Sequence, residues 1–269
     1  MAAAPLLVNA DGQLKSAPAM TNSDRKEILD LHNEWRNKAA GGKVLDREGK
    51  AESAKGLPIM TYDLALEELA RAEAIRCKQD TKSTNGYSRN AFFVDDVACS
   101  NSDSCLSNKY EYFVDEFAKR AENFKYSDAT CTDYFCVQFT NLVNQDSARV
   151  GCAYANCNKV EIGNNVDIFG GGYSLHCYYP PNDIMNKGML ATELGLFLKK
   201  PYDYGKTGVD CPNGMDKKYG NLCAKKSPVK KSPKAPTNID TPESSSAFIF
   251  RADKVMFMFV AIWNFYYLI

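Results

Sequence analysis

Ten cysteines, at positions 77, 99, 105, 131, 136, 152, 157, 177, 211 and 223, set the strongest constraint on what this chain can fold into. The set is even and lacks the close Cys-X-X-Cys pairs of a structural zinc site, so it reads as a framework of up to five disulfides. Cytosolic thiols are held reduced, so a chain built this way belongs to an oxidising compartment. Spacing alone does not say which sulfur joins which.

The rest of the composition is permissive. With 269 residues, 45% hydrophobic and 25% charged, the chain can bury one main core and a small appendage. Its 33 basic and 33 acidic residues cancel, which removes the broad basic field that binding to nucleic acid or an anionic membrane surface requires.

Both ends carry targeting features. "MAAAPLLVNADGQ" has a short apolar run followed by Val8 and Ala10 at signal-peptidase spacing, and reads as a signal-peptide remnant within an N-terminal extension, residues 1–20. After Cys223 come a Lys, Pro and Ser-rich linker (224–247) and an apolar tail (248–269). The terminal run "VMFMFVAIWNFYYLI" has 15 residues. As a helix it would reach about 22 Å, short of a hydrocarbon core of about 30 Å. Small residues before a spacer and an apolar tail match a GPI-attachment signal, with Ser244, Ser245 and Ser246 as candidate attachment residues and a short tail anchor as the alternative. Membrane association is expected only through this tail.

Between residues 21 and 185 helical and strand patterns mix. Asp24 with Glu27 reads as a capping box opening a helix from Arg25 to Ala40, which stops at Gly41-Gly42. Asp63 caps a second helix with Leu66, Leu69, Ala70, Ala74 and Cys77 on one face. Phe113, Phe117, Ala121 and Phe124 mark a third helix, Tyr110 to Phe124. Val137 to Val143 fits either a helix or a strand. "RVGCAYANC" and "GGYSLHCYY" read as two strands whose cysteines can face each other.

No catalytic signature appears. The chain has no GxSxG, HExxH or phosphate loop, and its two histidines, His32 and His176, lie in no nucleophile motif. Asp95-Asp96 reads as a loop, and Glu34, Glu67 and Glu68 as helix faces. His32 is expected to pack or hydrogen-bond on its helix, His176 to sit on a strand, and Glu116 to be a solvated or singly bonded helix carboxylate. No metal site and no cofactor follow from these residues. Nor does any Asn-X-Ser/Thr sequon occur.

"HNEWR" (32–36), "MTYDLALEELARAEAIRC" (60–77), "FTNLVNQDSARVGCA" (139–153) and "YSLHCYYPPND" (173–183), in that order, resemble the CAP superfamily, also called SCP/TAPS. "PYDYG" (201–205), "CPNG" (211–214) and "NLC" (221–223) resemble the cysteine-rich hinge of the activation-associated secreted, venom allergen-like proteins of parasitic worms. The resemblance covers residues 21–223. It implies an α/β fold, a three-layer α-β-α sandwich with a small antiparallel sheet in a CAP domain at 21–185, followed by a hinge at 186–223.

It further implies the bonds Cys77–Cys157, Cys152–Cys177 and Cys211–Cys223, leaving Cys99, Cys105, Cys131 and Cys136 in one of three pairings. The family's central cavity presents two histidines and two glutamates and can hold zinc. Here the corresponding positions carry Thr81, Arg89, Gln138 and only one matching acid, Glu116, which describes a degenerate cavity. The family also implies a non-enzymatic binding protein, extracellular or surface-tethered, with sterol or fatty acid and host extracellular proteins as partners. Leu31, Trp35, Phe113 and Phe117 stand nearest an expected lipid groove. A hydrolase with a noncanonical cavity site and a structural coat or adhesion protein are the alternatives. Oligomeric state is left open.

Overall fold

Thr21 and Asp24 start the first helix, α1 (Asn22–Ala40), by exchanging hydrogen bonds: the Asp24 amide donates to the Thr21 hydroxyl at 3.1 Å and the Thr21 amide to the Asp24 carboxylate at 2.8 Å. The expected Asp24–Glu27 box is therefore displaced by three residues toward the N-terminus, with Asp24 as its second member instead of its first. Only a residue outside the helix can turn its side chain back onto the free amides, and Thr21 holds that place. At the other end Gly42 takes φ +66°, a conformation that costs glycine little, and its amide closes on Ala39 O at 2.9 Å.

The computed structural model describes residues 13–79, 86–101, 105, 108–132, 135–162, 167–181 and 196–225, all within the unit Met1–Ser227. Thr81, the signal-like residues 1–12, most of the 224–247 linker, Ser244 to Ser246 and the apolar tail lie outside them. No helix among the described residues is long and apolar enough to cross a membrane.

Helix α2 (Leu64–Ala74) is capped by Asp63, which accepts from the amides of Ala65 and Leu66. Helix α3 (Asp96–Ser100) is capped by Asp95, which accepts from Ala98 N at 2.6 Å. Asp95-Asp96 is thus a strand-to-helix junction and not a loop. Helix α4 (Lys109–Lys119) gives way to a 3-10 turn (Arg120–Asn123) before Phe124, so the aromatic stripe is shared between two elements rather than one long helix. The ambiguous segment is helix α5 (Cys136–Val143).

The main sheet is built from β1 (Leu14–Ser16), β2 (Thr61–Tyr62), β4 (Ser88–Asp95), β7 (Arg149–Cys157) and β10 (Gly172–Tyr179). Its order is β1-β7-β10-β4, antiparallel throughout, with β2 added in parallel to β7. Residues 14–16, assigned by sequence to an N-terminal extension, are therefore an edge strand of the body. Two small sheets flank it: β5 (Phe124–Lys125) with β6 (Thr130–Cys131) and β11 (Leu196–Phe197), and β3 (Lys78–Gln79) with β8 (Val160–Ile162) and β9 (Asp167–Phe169).

Strand alternation makes three layers. Val150, Cys152 and Tyr154 of β7, with Leu175, Cys177 and Tyr179 of β10, face a core shared with Ile28 of α1, Phe113 and Phe117 of α4, and Phe139 and Leu142 of α5. On the opposite face Ala153 and Ala155 meet Leu66, Ala70 and Ala74 of α2. Small residues on this second face let α2 come close. A Cβ added at Gly151 would stand 2.1 Å from Glu67 N and 2.5 Å from Asp63 O. A sheet buried on both sides shows no polar alternation, which is why "RVGCAYANC" is apolar nearly throughout.

The disulfides are Cys77–Cys157, Cys99–Cys105, Cys131–Cys136, Cys152–Cys177 and Cys211–Cys223, and no cysteine is free. The first joins the end of α2 to the sheet, and the fourth joins directly paired positions of β7 and β10. Cys211–Cys223 closes a short loop in the hinge, a constraint of about 3 kcal/mol in the chain-entropy account. That hinge is docked on the body: Thr207 Oγ1 donates to Ala40 O at 2.8 Å, Asn221 N to Asn37 Oδ1 at 2.9 Å, and Cys223 N to Leu57 O at 2.8 Å.

Candidate functional site

The "HNEWR" motif places three polar side chains on the inner face of α1. His32, Asn33 and Arg36 are all fully or nearly fully buried. Asn33 exchanges hydrogen bonds with the backbone of Met60, donating to its carbonyl at 3.2 Å and accepting from its amide at 2.8 Å. Arg36 donates to the carbonyls of Pro58, Leu142 and Asn144, tying α1 to the loop before β2 and to the C-terminal end of α5. Those last carbonyls are free acceptors at the negative end of a helix, a favourable place for a cation. Burial nevertheless draws the guanidinium down to about 9.

His32 stands one turn before Arg36. A backbone carbonyl can only accept, so the 2.8 Å contact to Ile28 O fixes the proton on Nδ1. Nε2 is then an acceptor, and the Tyr179 hydroxyl donates to it at 3.0 Å. Asn90 of β4 donates one amide proton to the Tyr179 oxygen at 3.1 Å and the other to Gln138 O at 2.8 Å. Its own carbonyl accepts from Asn141 Nδ2 at 3.0 Å. The result is a polar chain through the core from α1 across β10 and β4 to α5. Burial, reinforced by the Arg36 charge, holds His32 neutral with a pKa of about 4, and burial pushes the Tyr179 phenol well above its ordinary value.

Chemically this arrangement is closed. The free lone pair of His32 is used by Tyr179, and the ring is 0% exposed, so no substrate proton can reach it. One ring nitrogen of His32 also lies within 4.8 Å of the sulfurs of Cys152 and Cys177, which are bonded to each other. Sequence reasoning placed His32 on its helix face and missed this neighbourhood. The paired strands give the only sequence clue, since Cys177 and Tyr179 alternate onto one face.

Of the four residues expected at the degenerate cavity, Thr81 lies outside the described residues and the other three are each engaged. Gln138 donates from Nε2 to Ala91 O at 2.7 Å. Arg89, two residues earlier on β4, reaches Glu73 of α2 at 3.4 Å. Glu116 on α4 is held by Lys119 at 2.5 Å. Gln138 and Arg89 thus share the β4–α5 seam, where Asn141 Nδ2 donates to Arg89 O at 3.4 Å, while Glu116 bonds within its own helix.

Of the four residues expected beside a lipid groove, Phe113 and Phe117 are 0% exposed and belong to the core. The stripe that seemed able to line a groove packs inward because α1, α5 and the sheet close over it. Leu31 and Trp35 remain partly open. The indole of Trp35 donates to Asp115 at 2.7 Å, and the Lys38 ammonium lies 4.0 Å over its ring. A separate cleft of about 540 Å³ opens between body and hinge, lined by Pro58, Ile59 and Pro180 from the body and Asp210, Pro212 and Asn213 from the hinge. Glu67, read from sequence as an ordinary helix-face residue, is buried and takes a two-pronged ion pair from Arg25, at 2.7 and 2.8 Å.

A three-layer sandwich stapled by five disulfides and followed by a docked hinge defines the class. Residues 29–169 match the model of the cysteine-rich secretory protein family, CAP, and the chain belongs to that family. It is 25% identical over 214 residues to the Ancylostoma secreted protein of Ancylostoma caninum, covering 76% of this chain and about half (49%) of that protein. It is 23% identical to venom allergen 5 of Vespa magnifica, over 54% of this chain and 64% of the relative. Among solved structures it resembles BmVAL-1 (21% identity, TM-score 0.57, 77% of this chain and 96% of that one). It also resembles NaASP2 crystallised with Zn2+ (24% identity, TM-score 0.54, 77% of this chain and all of that one). These structures share the fold. Five disulfides fit an extracellular, oxidising setting.

Proposed function

We propose that this chain is a non-enzymatic binding protein of the helminth venom allergen-like type, secreted or tethered at the cell surface. In this reading it acts on lipid, a sterol or fatty acid, or on host extracellular proteins in immune modulation, with a metal cavity that has decayed. One observation carries it: the position of a family imidazole holds Gln138, whose amide is used on Ala91 O, while the remaining acid, Glu116, is neutralised by Lys119. Zinc sites are built from imidazole, thiolate and carboxylate donors converging on one point, and an amide with a paired carboxylate is a poor substitute.

Surfaces remain for binding. The seam beside Leu31 and Trp35 offers apolar area, and the body–hinge cleft is of the size that small ligands occupy. Titration of the purified oxidised chain with a fluorescent sterol tests the lipid arm. Saturable binding at micromolar sterol, weakened by Trp35→Ala, supports it; no saturation removes it and leaves host proteins. Release from cells by a phosphatidylinositol-specific phospholipase tests the tethering at Ser244, Ser245 or Ser246.

A further inference from the structure

We propose that Tyr110 and Tyr154 form a binding corner for a small organic cation with a methylated ammonium group, choline-like in chemistry, and that the Lys109 side chain is its resident plug. The ammonium of Lys109 lies 4.9 Å from the Tyr110 ring centre and 4.7 Å from that of Tyr154. The two rings meet edge to face at 84° with centroids 6.3 Å apart, so they wall one point from two directions. Tyr173 stacks on Tyr154 at 5.8 Å and 18° and braces that wall. An ammonium is therefore already seated beside both aromatic rings.

Lys109 is held there loosely. Among the described residues no hydrogen bond or ion pair engages its ammonium, which has only the two rings. It is also the first residue of α4, where the positive end of the helix dipole disfavours a cation. A primary ammonium is strongly hydrated and gives up its water for ring faces at a cost that a methylated one avoids. The spacing points the same way. A bare ammonium can come closer, as Lys38 does at 4.0 Å over Trp35, and the longer distances at Lys109 leave room for methyl groups between nitrogen and ring.

The charge around the corner favours a cation. Asp24 of α1 lies beside Tyr110, and both Asp24 and Glu27 feel the Lys109 charge. Burial, with the charges of Asp24 and Glu111, lifts the Glu27 carboxyl above its ordinary value, and Lys109 opposes the lift. One lysine thus faces Asp24, Glu27 and Glu111. Glu27 and Glu111 are exposed, and Lys109 and Tyr173 half-buried, so a ligand can enter as Lys109 swings out. A phosphate next to the ammonium would meet those carboxylates, which favours a free ammonium compound over a lipid headgroup.

The test titrates choline calorimetrically into the full oxidised chain, beside its uncharged carbon isostere, dimethylbutanol, and beside phosphocholine. Expected is saturable choline binding at millimolar concentration, at least about 10-fold weaker for the isostere and at least about 5-fold tighter in Lys109→Ala, which empties the corner. Tyr154→Leu should abolish binding and Tyr110→Phe, which keeps the ring, should not, with circular dichroism checking the fold of each. Glu27→Gln/Glu111→Gln, at exposed positions, should weaken binding with the rings intact. No saturable binding by Lys109→Ala would overturn the proposal. So would equal affinity for the isostere, unchanged binding in a folded Tyr154→Leu chain, or unchanged binding in Glu27→Gln/Glu111→Gln. Phosphocholine bound more tightly than choline would overturn the choice of a free ammonium compound.

Discussion

Tyr179 donates its phenolic proton to Nε2 of His32 across 3.0 Å, with both side chains sealed in the core. This contact requires neutral imidazole, and so makes stability depend on pH. His32 titrates near 4 in the folded chain and near 6.5 when unfolded, because burial disfavours the imidazolium and Arg36 adds like charge. Between those values the unfolded chain binds more protons. The contribution of neutral His32 is thus complete above about 6.5 and is lost as pH falls from there toward 4. At about 1.4 kcal/mol per pH unit the loss approaches 3 kcal/mol. Denaturant melts at pH 7 and pH 4.5 should differ by an amount that His32→Gln largely removes. Asp30, brought to about 2 by Lys218, Lys26 and Tyr219 against the opposing effect of its burial, contributes only in a lower window, from about 4 downward.

Arg36 reaches three carbonyls on two other segments and is 0% exposed. Arg36→Ala would leave those acceptors buried without a donor and open a cavity, for a loss of about 3–5 kcal/mol. Arg36→Lys should cost at least about 2 kcal/mol, since one ammonium cannot span the positions that a guanidinium fork reaches. Urea unfolding of both variants checks the order.

Gly151 is where α2 touches the sheet. Gly151→Ala places a methyl against the Glu67 amide and Asp63 carbonyl, both backbone atoms that cannot rotate away. Overpacking of this kind costs about 1–3 kcal/mol or more. The expected result is a loss of at least about 2 kcal/mol with faster hydrogen exchange in α2. Gly49, with open space around its α-carbon, makes a useful contrast, because a methyl there meets nothing and only its φ of +72° is strained.

Gln138 is a loose end of the polar chain. Its Oε1 is buried without a hydrogen-bond partner among the described residues, while its Nε2 serves Ala91 O. Gln138→Met removes one good bond and one unsatisfied oxygen together, and these nearly cancel at about 1 kcal/mol each. Thermal unfolding should move little, in contrast to the Arg36 variants.

Much of this frame was legible in the residues. The helix periods around Ile28 and Leu66, the Asp63 cap and the two cysteine-bearing strands are all present, because each depends on local pattern. The strand Ser88–Asp95 was not seen: Asn85-Gly86 marks its start and Asp95 its end, but "SRNAFFVD" lacks the strict alternation that would single out a strand. Phe113 and Phe117 looked equally fit for a groove or a core, since periodicity gives a face but not what covers it. The Arg25–Glu67 pair and the His32–Tyr179–Asn90 chain join residues 42 to 147 positions apart. Spacing says nothing about such pairs.

Equilibrium dialysis of the fully oxidised chain against Zn2+ addresses the central claim most directly, namely that Gln138, Arg89 and Glu116 do not offer the donors to hold a metal. With every sulfur in a disulfide, the account expects no stoichiometric zinc. One zinc per chain, lost on Glu116→Ala, would contradict it.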